Sequence, residues 1–153
     1  MRRYLRGSFI IIVPVFILFL ISCTAGSCFE ETESYLKASF YFNTTLTAPD
    51  SLTLYGLNKD SLIYNQETGV QHAKIPLNSS AESCTFIIKI NGITDTIEFR
   101  YNSYPHLISK ECGYTFYHHL DTIPYYSKHT IKNIEITNST ITNLNVENIQ
   151  IYY

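Results

Sequence analysis

Four cysteines and five histidines in 153 residues are the side chains with the most chemistry to offer. Cys112 lies within seven residues of His106, His118 and His119, a grouping that a thiol nucleophile with an imidazole base could use. Such catalysis needs the base within hydrogen-bond reach and a third group to orient it, and the spacing supplies neither. A structural cysteine is therefore the expectation. His118 and His119 invite a metal site with His106 and His129 as further ligands, but adjacent residues on a strand point to opposite faces and do not easily share one ion. The expectation is one partly buried and one exposed histidine, with no metal and no cofactor. The sequence has no Gly-rich phosphate loop, calcium-loop spacing, Gly-x-Ser-x-Gly or His-Glu-x-x-His, so an enzyme is not expected.

The stretch that could carry covalent chemistry is at the start. A basic segment (Arg2, Arg3, Arg6) precedes an apolar run from Phe9 to Ile21. That run is shorter than the roughly 20 residues a spanning helix needs, and Pro14 weakens a permanent span further; it fits the core of a signal peptide. Leu20-Ile21-Ser22-Cys23 resembles the bacterial lipobox, in which the cysteine thiol takes diacylglycerol and becomes the first residue after cleavage. Cys28, preceded by Ala25-Gly26-Ser27, is a poorer version of the same motif. Removing residues 1–22 leaves eight basic residues against thirteen acidic ones, a net charge of −5. Neither nucleic acid nor an anionic membrane surface is a natural partner for that charge. Attachment to a membrane would come from acyl chains on Cys23, each buried methylene contributing about 0.8 kcal/mol.

The elements that position the remaining groups read as strands. Aromatic residues make up 14% of the chain, with Trp absent, and Thr, Ile and Asn abound, a composition that favours strands and turns. Tyr35–Phe42 alternates, with Leu36, Ala38, Phe40 and Phe42 on one face and Lys37 and Ser39 on the other. Asp50-Ser51 and Asp60-Ser61 open two segments that read as a hairpin, and His72–Leu77 reads as an edge strand ending near Pro76. In Cys84–Tyr101 the alternating Phe86, Ile88 and Ile90 meet Ile97, Phe99 and Tyr101 across Asn91-Gly92, a tight-turn pair. Pro105–Leu120 reads as two further short strands around a turn near Lys110-Glu111, and the chain ends in a strand, Ile149–Tyr153. Seven to nine short strands without a helical stripe predict an all-β, antiparallel two-sheet sandwich, immunoglobulin-like in architecture, with a small barrel as the alternative. The domains expected are a signal peptide over 1–22, a lipidated tether over 23–34 and one sandwich domain over 35–153.

Outside Cys23, three cysteines remain in what would be an oxidising compartment. Cys28 just before the first strand and Cys112 in a turn would staple the tether to the body. Cys84–Cys112, or no bridge, are the alternatives. Cys84 is in phase with Phe86, Ile88 and Ile90 and should face inward as a small thiol.

The segments "DSLTLYGLNKDSLIYN", "TDTIEFRYNSYPHLISKECGYTFYHHLDTI" and "EITNSTITNLNVENIQIYY", taken with the lipobox, resemble an uncharacterised family of Bacteroidota lipoproteins, a domain of unknown function. The resemblance runs over the whole mature chain. It implies a compact domain displayed in the cell envelope, lipid-anchored at the outer membrane on its periplasmic side or at the cell surface. The Cys28–Cys112 pairing also fits it. No activity follows. The domain is then a non-catalytic binding or structural module or, alternatively, a carbohydrate- or peptide-binding accessory lipoprotein of an outer-membrane complex, whose partner is an envelope protein or a glycan. Asp50-Ser51-Leu52, Asp60-Ser61-Leu62, Asp95-Thr96-Ile97 and Asp121-Thr122-Ile123 resemble the Asp-Ser/Thr-apolar site at which Bacteroidota O-glycosylate exported proteins, making Ser51, Ser61, Thr96 and Thr122 candidates. The competing reading is a turn handing over to a strand. Tyr101, Tyr104, Tyr114, Tyr117, Tyr125 and Tyr126 crowd the second half as strand residues or as a contact surface.

Overall fold

The alternating segments become eleven strands with no helix among the described residues: β1 (Tyr35–Phe42), β2 (Thr45–Leu46), β3 (Leu52–Gly56), β4 (Leu62–Glu67), β5 (His72–Pro76), β6 (Ser83–Ile90), β7 (Ile93–Ser109), β8 (Gly113–Tyr126), β9 (Asn133–Ile136), β10 (Thr140–Ile141) and β11 (Ile149–Tyr152). The computed structural model describes residues 28–153. The expected signal peptide and Cys23 lie outside the described residues.

One sheet runs β2-β1-β11-β9, with β5 also paired to β1; the other runs β10-β8-β7-β6-β3-β4. The fold is all-β, with two sheets consistent with a sandwich. Its inward positions follow the two-residue period. Leu36, Ala38, Phe40, Ile149 and Ile151 from the first sheet meet Leu54, Ile88, Ile97, Phe99 and Tyr101 from the second, all buried. Burying each large apolar side chain of this kind contributes about 1.5–3 kcal/mol. Asn91 and Gly92 take φ values of 50° and 87° at the β6–β7 turn, as the Asn-Gly pair leads one to expect.

Three features depart from the sequence reading. First, not every pair is antiparallel: β11 inserts between β1 and β9 and runs parallel to β1, with Ala38 opposite Ile149 and Phe40 opposite Ile151. A parallel neighbour needs a long crossover, and here the C-terminal strand returns to the first after the whole of the other sheet has been built.

Second, β1 is buried on both faces. Lys37 and Ser39, expected to face solvent, are buried, because the segment ahead of β11 folds over them. The Asn148 amide accepts from the Lys37 N–H at 3.0 Å and donates to the carbonyls of Asn138 and Thr140, both at 3.0 Å. The Lys37 ammonium donates to the Leu144 carbonyl, and Ser39 Oγ lies 2.8 Å from His72 Nδ1. Burial pulls the Lys37 ammonium below its ordinary value, and the neighbouring charge of Lys74 adds to this.

Third, the two short strands expected over Pro105–Leu120 are the outer halves of β7 and β8, 17 and 14 residues long. β6 pairs with β7 only as far as Arg100, and β10 meets β8 at His118 and His119. Residues 102–117 therefore leave the sandwich as a two-stranded arm. Pro105 is tolerated in mid-strand because that edge of β7 has no neighbouring strand.

Candidate functional site

A two-stranded ribbon is marginally stable by itself, so the arm requires support. It receives it from the N-terminal segment. Cys28 is bonded to Cys112 at the arm's tip, with the two Cα atoms 4.8 Å apart and a separation of 84 in sequence. The Ser34 hydroxyl donates to the Phe116 carbonyl on the outer edge of β8, and the Asn143 amide donates to the Glu31 carbonyl at 2.9 Å. Tyr117 donates from its hydroxyl to Asn143 Oδ1 at 2.6 Å. The chain leading into β1 is thus fastened along the arm from its tip to its root.

The bridge consumes the thiol that a nucleophilic reading of Cys112 requires. Among the described residues Cys84 is the free cysteine; it packs against the core beside Phe86, and burial pushes its thiol up to about 11. A thiol protonated at neutral pH is a poor nucleophile. Cys84 also lines a cleft of about 610 Å³ with Leu57, Ile63, Pro76 and Phe86, to which Lys59, Ser61 and Asn78 add polar groups.

The two adjacent histidines separate as their strand positions require. His118 is buried, with Nδ1 2.8 Å from Ser103 Oγ and its ring edge-on to Tyr101 at 5.5 Å, whereas His119 is exposed. His106 stacks on Tyr117 with ring centroids 4.1 Å apart, and His129 lies elsewhere, against Asp95 at 3.1 Å. Among the described residues no group of three or more His, Cys, Asp or Glu side chains is placed to hold a metal ion.

Burial lowers the basicity of His118, which has a consequence for stability. The unfolded chain takes up a proton near pH 6.5 and the folded chain resists it, so this group's contribution is complete above pH 6.5 and is lost as pH falls toward the lowered folded value. Urea unfolding midpoints should decline between pH 6.5 and 5, with a slope of up to about 1.4 kcal/mol per pH unit. His118→Gln should flatten that slope; an unchanged slope would contradict the assignment.

The tyrosines divide into two groups. Tyr101 is a core residue whose hydroxyl donates to the Asn78 carbonyl and accepts from its N–H, and Tyr126 is half-buried beneath the Lys128 ammonium. Tyr104, Tyr114 and Tyr125 are exposed. On the arm, Leu107 pairs with Tyr114 and Pro105 with Phe116 across the strands. These four side chains share the face that continues the core-facing surface of β7 and β8. Tyr114 is 74% exposed and Phe29, next to Cys28, is 93% exposed. The candidate glycan positions also differ: Ser61 and Thr122 are exposed, while Ser51 and Thr96 are half-buried.

Two buried polar groups escape a reading of the sequence alone. Asn148 is the clamp described above. Asp95 reads as a turn residue ahead of Thr96, yet it is in phase with Ile97, Phe99 and Tyr101, and that phase points it inward. Its carboxylate accepts from the Ser127 hydroxyl at 2.5 Å and from the backbone N–H groups of His129, Thr130 and Ile131 at 2.8–3.0 Å. Burial alone would raise this carboxyl; those donors overcome it and hold the carboxyl below its ordinary value. The residue organises the crossing from β8 to β9 and so from one sheet to the other.

A family model described as a family of unknown function (DUF6452) matches residues 51–153. The chain belongs to this family. The match takes in β3 through β11, the arm and Cys112, while β1, β2 and Cys28 precede the DUF6452 region. No curated protein and no solved structure matches the chain.

Proposed function

We propose that this protein is a lipoprotein of the Bacteroidota cell envelope, anchored at the outer membrane through acyl chains on Cys23 and acting as a non-catalytic binding or structural module. The observation that carries the reading is the Cys28–Cys112 bridge. A disulfide persists in exported proteins, and this one begins five residues after the lipobox-like cysteine. It therefore supports a domain that folds outside the cytoplasm. Partners are then the membrane, through the acyl chains, and an envelope protein or glycan; O-glycans would sit most readily on the exposed Ser61 and Thr122.

Detergent phase partitioning of the chain expressed in a Bacteroidota host tests the anchor. The wild type should enter the detergent phase and incorporate labelled fatty acid. Cys23→Ala should lose both properties, and a wild-type chain left unlabelled in the aqueous phase would contradict the reading. The cleft beside Cys84, apolar with Lys59 and Asn78 as polar groups, favours a second reading, an accessory module that binds a peptide or carbohydrate within an outer-membrane complex.

A further inference from the structure

The Cys28–Cys112 bridge changes the geometry of attachment. Without it, residues 24–34 would form a tether of up to roughly 35–40 Å. With Cys28 held at the arm's tip, Cys23 is five residues from the bridge in sequence and stands no more than about 18 Å from it. The 17 residues of β7 separate the tip from the Asn91-Gly92 end by about 50 Å. An anchor on Cys23 therefore keeps the tip close to the bilayer surface at any tilt of the domain, whereas nothing holds the far end there.

The tip carries what an interface would take. Phe29, Leu107 and Tyr114 are large and exposed, next to the bridge or on the face of the arm beside it, while Phe116, nearer the root, lines a groove with Tyr35, Pro76 and Leu77. Exposed apolar side chains gathered in this way mark an interaction surface, and tyrosine with its polar hydroxyl suits the headgroup layer. We propose that the tip of the arm docks into the interfacial layer of the same bilayer that holds the acyl chains, with Phe29, Leu107 and Tyr114 inserted and the domain standing upright on its arm. The proposal rests on the anchoring of Cys23 argued above. At the tip itself Glu30 beside Cys28 and Glu111 beside Cys112 outnumber Lys110, so the surface that fits is zwitterionic; added anionic lipid should weaken the docking.

The chain has no tryptophan, which makes single-tryptophan reporters direct. Full-length Tyr114→Trp, processed in its native host and reconstituted in phosphatidylcholine vesicles, is compared with Ile93→Trp, an exposed position at the far end. Brominated phosphatidylcholine should quench the Tyr114→Trp reporter at least twofold and leave the Ile93→Trp reporter unaffected. Adding Phe29→Asp and Leu107→Asp to the Tyr114→Trp chain should abolish the quenching while the protein stays on the vesicles. The mass of the N-terminal peptide is read on the same samples. An acylated Cys23 with the tip reporter unquenched, or quenched no more than the far-end one, overturns the docking and leaves the anchor standing. A Cys23 peptide without acyl chains overturns both.

Discussion

Asp95→Ala destabilises the domain by about 3–5 kcal/mol, the cost of leaving several donors around a buried site without their acceptor. The substitution deletes few apolar contacts, so the loss comes from the donors left behind. The N–H groups of His129, Thr130 and Ile131 and the Ser127 hydroxyl all point into the space the carboxylate fills. Each buried donor without a partner costs about 1–3 kcal/mol, and solvent reaching the vacated site lowers the sum. Asp95→Asn keeps the shape but exchanges one acceptor oxygen for a donor facing donors, so it should recover less than half of the loss. The carboxyl is held below its ordinary value when folded, so its contribution is present above the unfolded value near pH 4. It disappears as pH falls through the lowered folded value. Urea unfolding at pH 7 and pH 3 checks this: the gap between wild type and Asp95→Ala should be wide at pH 7 and narrower at pH 3. A gap under about 1 kcal/mol at pH 7 would contradict the role given to Asp95.

Replacing both Cys28 and Cys112 with serine lowers stability by about 2–4 kcal/mol. The chain-entropy argument for a separation of 84 residues sets an upper bound of about 4–5 kcal/mol. The folded protein recovers part of this, because residues 28–30, which lie beyond the Glu31–Asn143 and Ser34–Phe116 hydrogen bonds, gain freedom once released. The loss should be uneven. Amides of the arm, residues 102–117, should exchange faster, as a ribbon with one stapled edge removed, whereas amides around Ile88, Ile97 and Phe99 should change only with global stability. Keeping Cys84 in the variant adds no complication, since its thiol is buried and protonated. Equal exchange in the arms of both proteins would show that the bridge supports nothing beyond the tether.

Much of the fold is legible in the sequence because one sheet face supplies the core and the two-residue period reports that face. The Phe86–Ile90 and Ile97–Tyr101 segments with Asn91-Gly92 between them carry pattern and turn in one short stretch. What is not legible depends on distant chain. Lys37 and Ser39 read as a solvent face, and only the return of Leu144–Asn148 over β1 buries them. The parallel β1–β11 pair joins residues more than 100 apart, and local pattern carries no record of strand neighbours. The sequence pattern ends one strand at Tyr101 and opens another at Pro105, whereas β7 runs on through Pro105 along an unpaired edge. Asp95 is readable in its phase with Ile97, but Asp before Thr is also the common start of a strand, and that pattern hides it. At the candidate site, pairing Cys28 with Cys112 anticipates the staple, but the exposed face formed by Leu107, Tyr114 and Phe116 emerges only once both strands extend past the sandwich.

The claim on which the functional account depends is that Cys23 ends the leader and carries the lipid while Cys28 is left to reach Cys112. Mass spectrometry of the mature N-terminus tests it directly. The expected first residue is Cys23 bearing a diacylglyceryl thioether, with Cys28 and Cys112 recovered as one disulfide-linked peptide pair. An intact leader beginning at Met1, an unmodified Cys23, or acyl chains on Cys28 would contradict it.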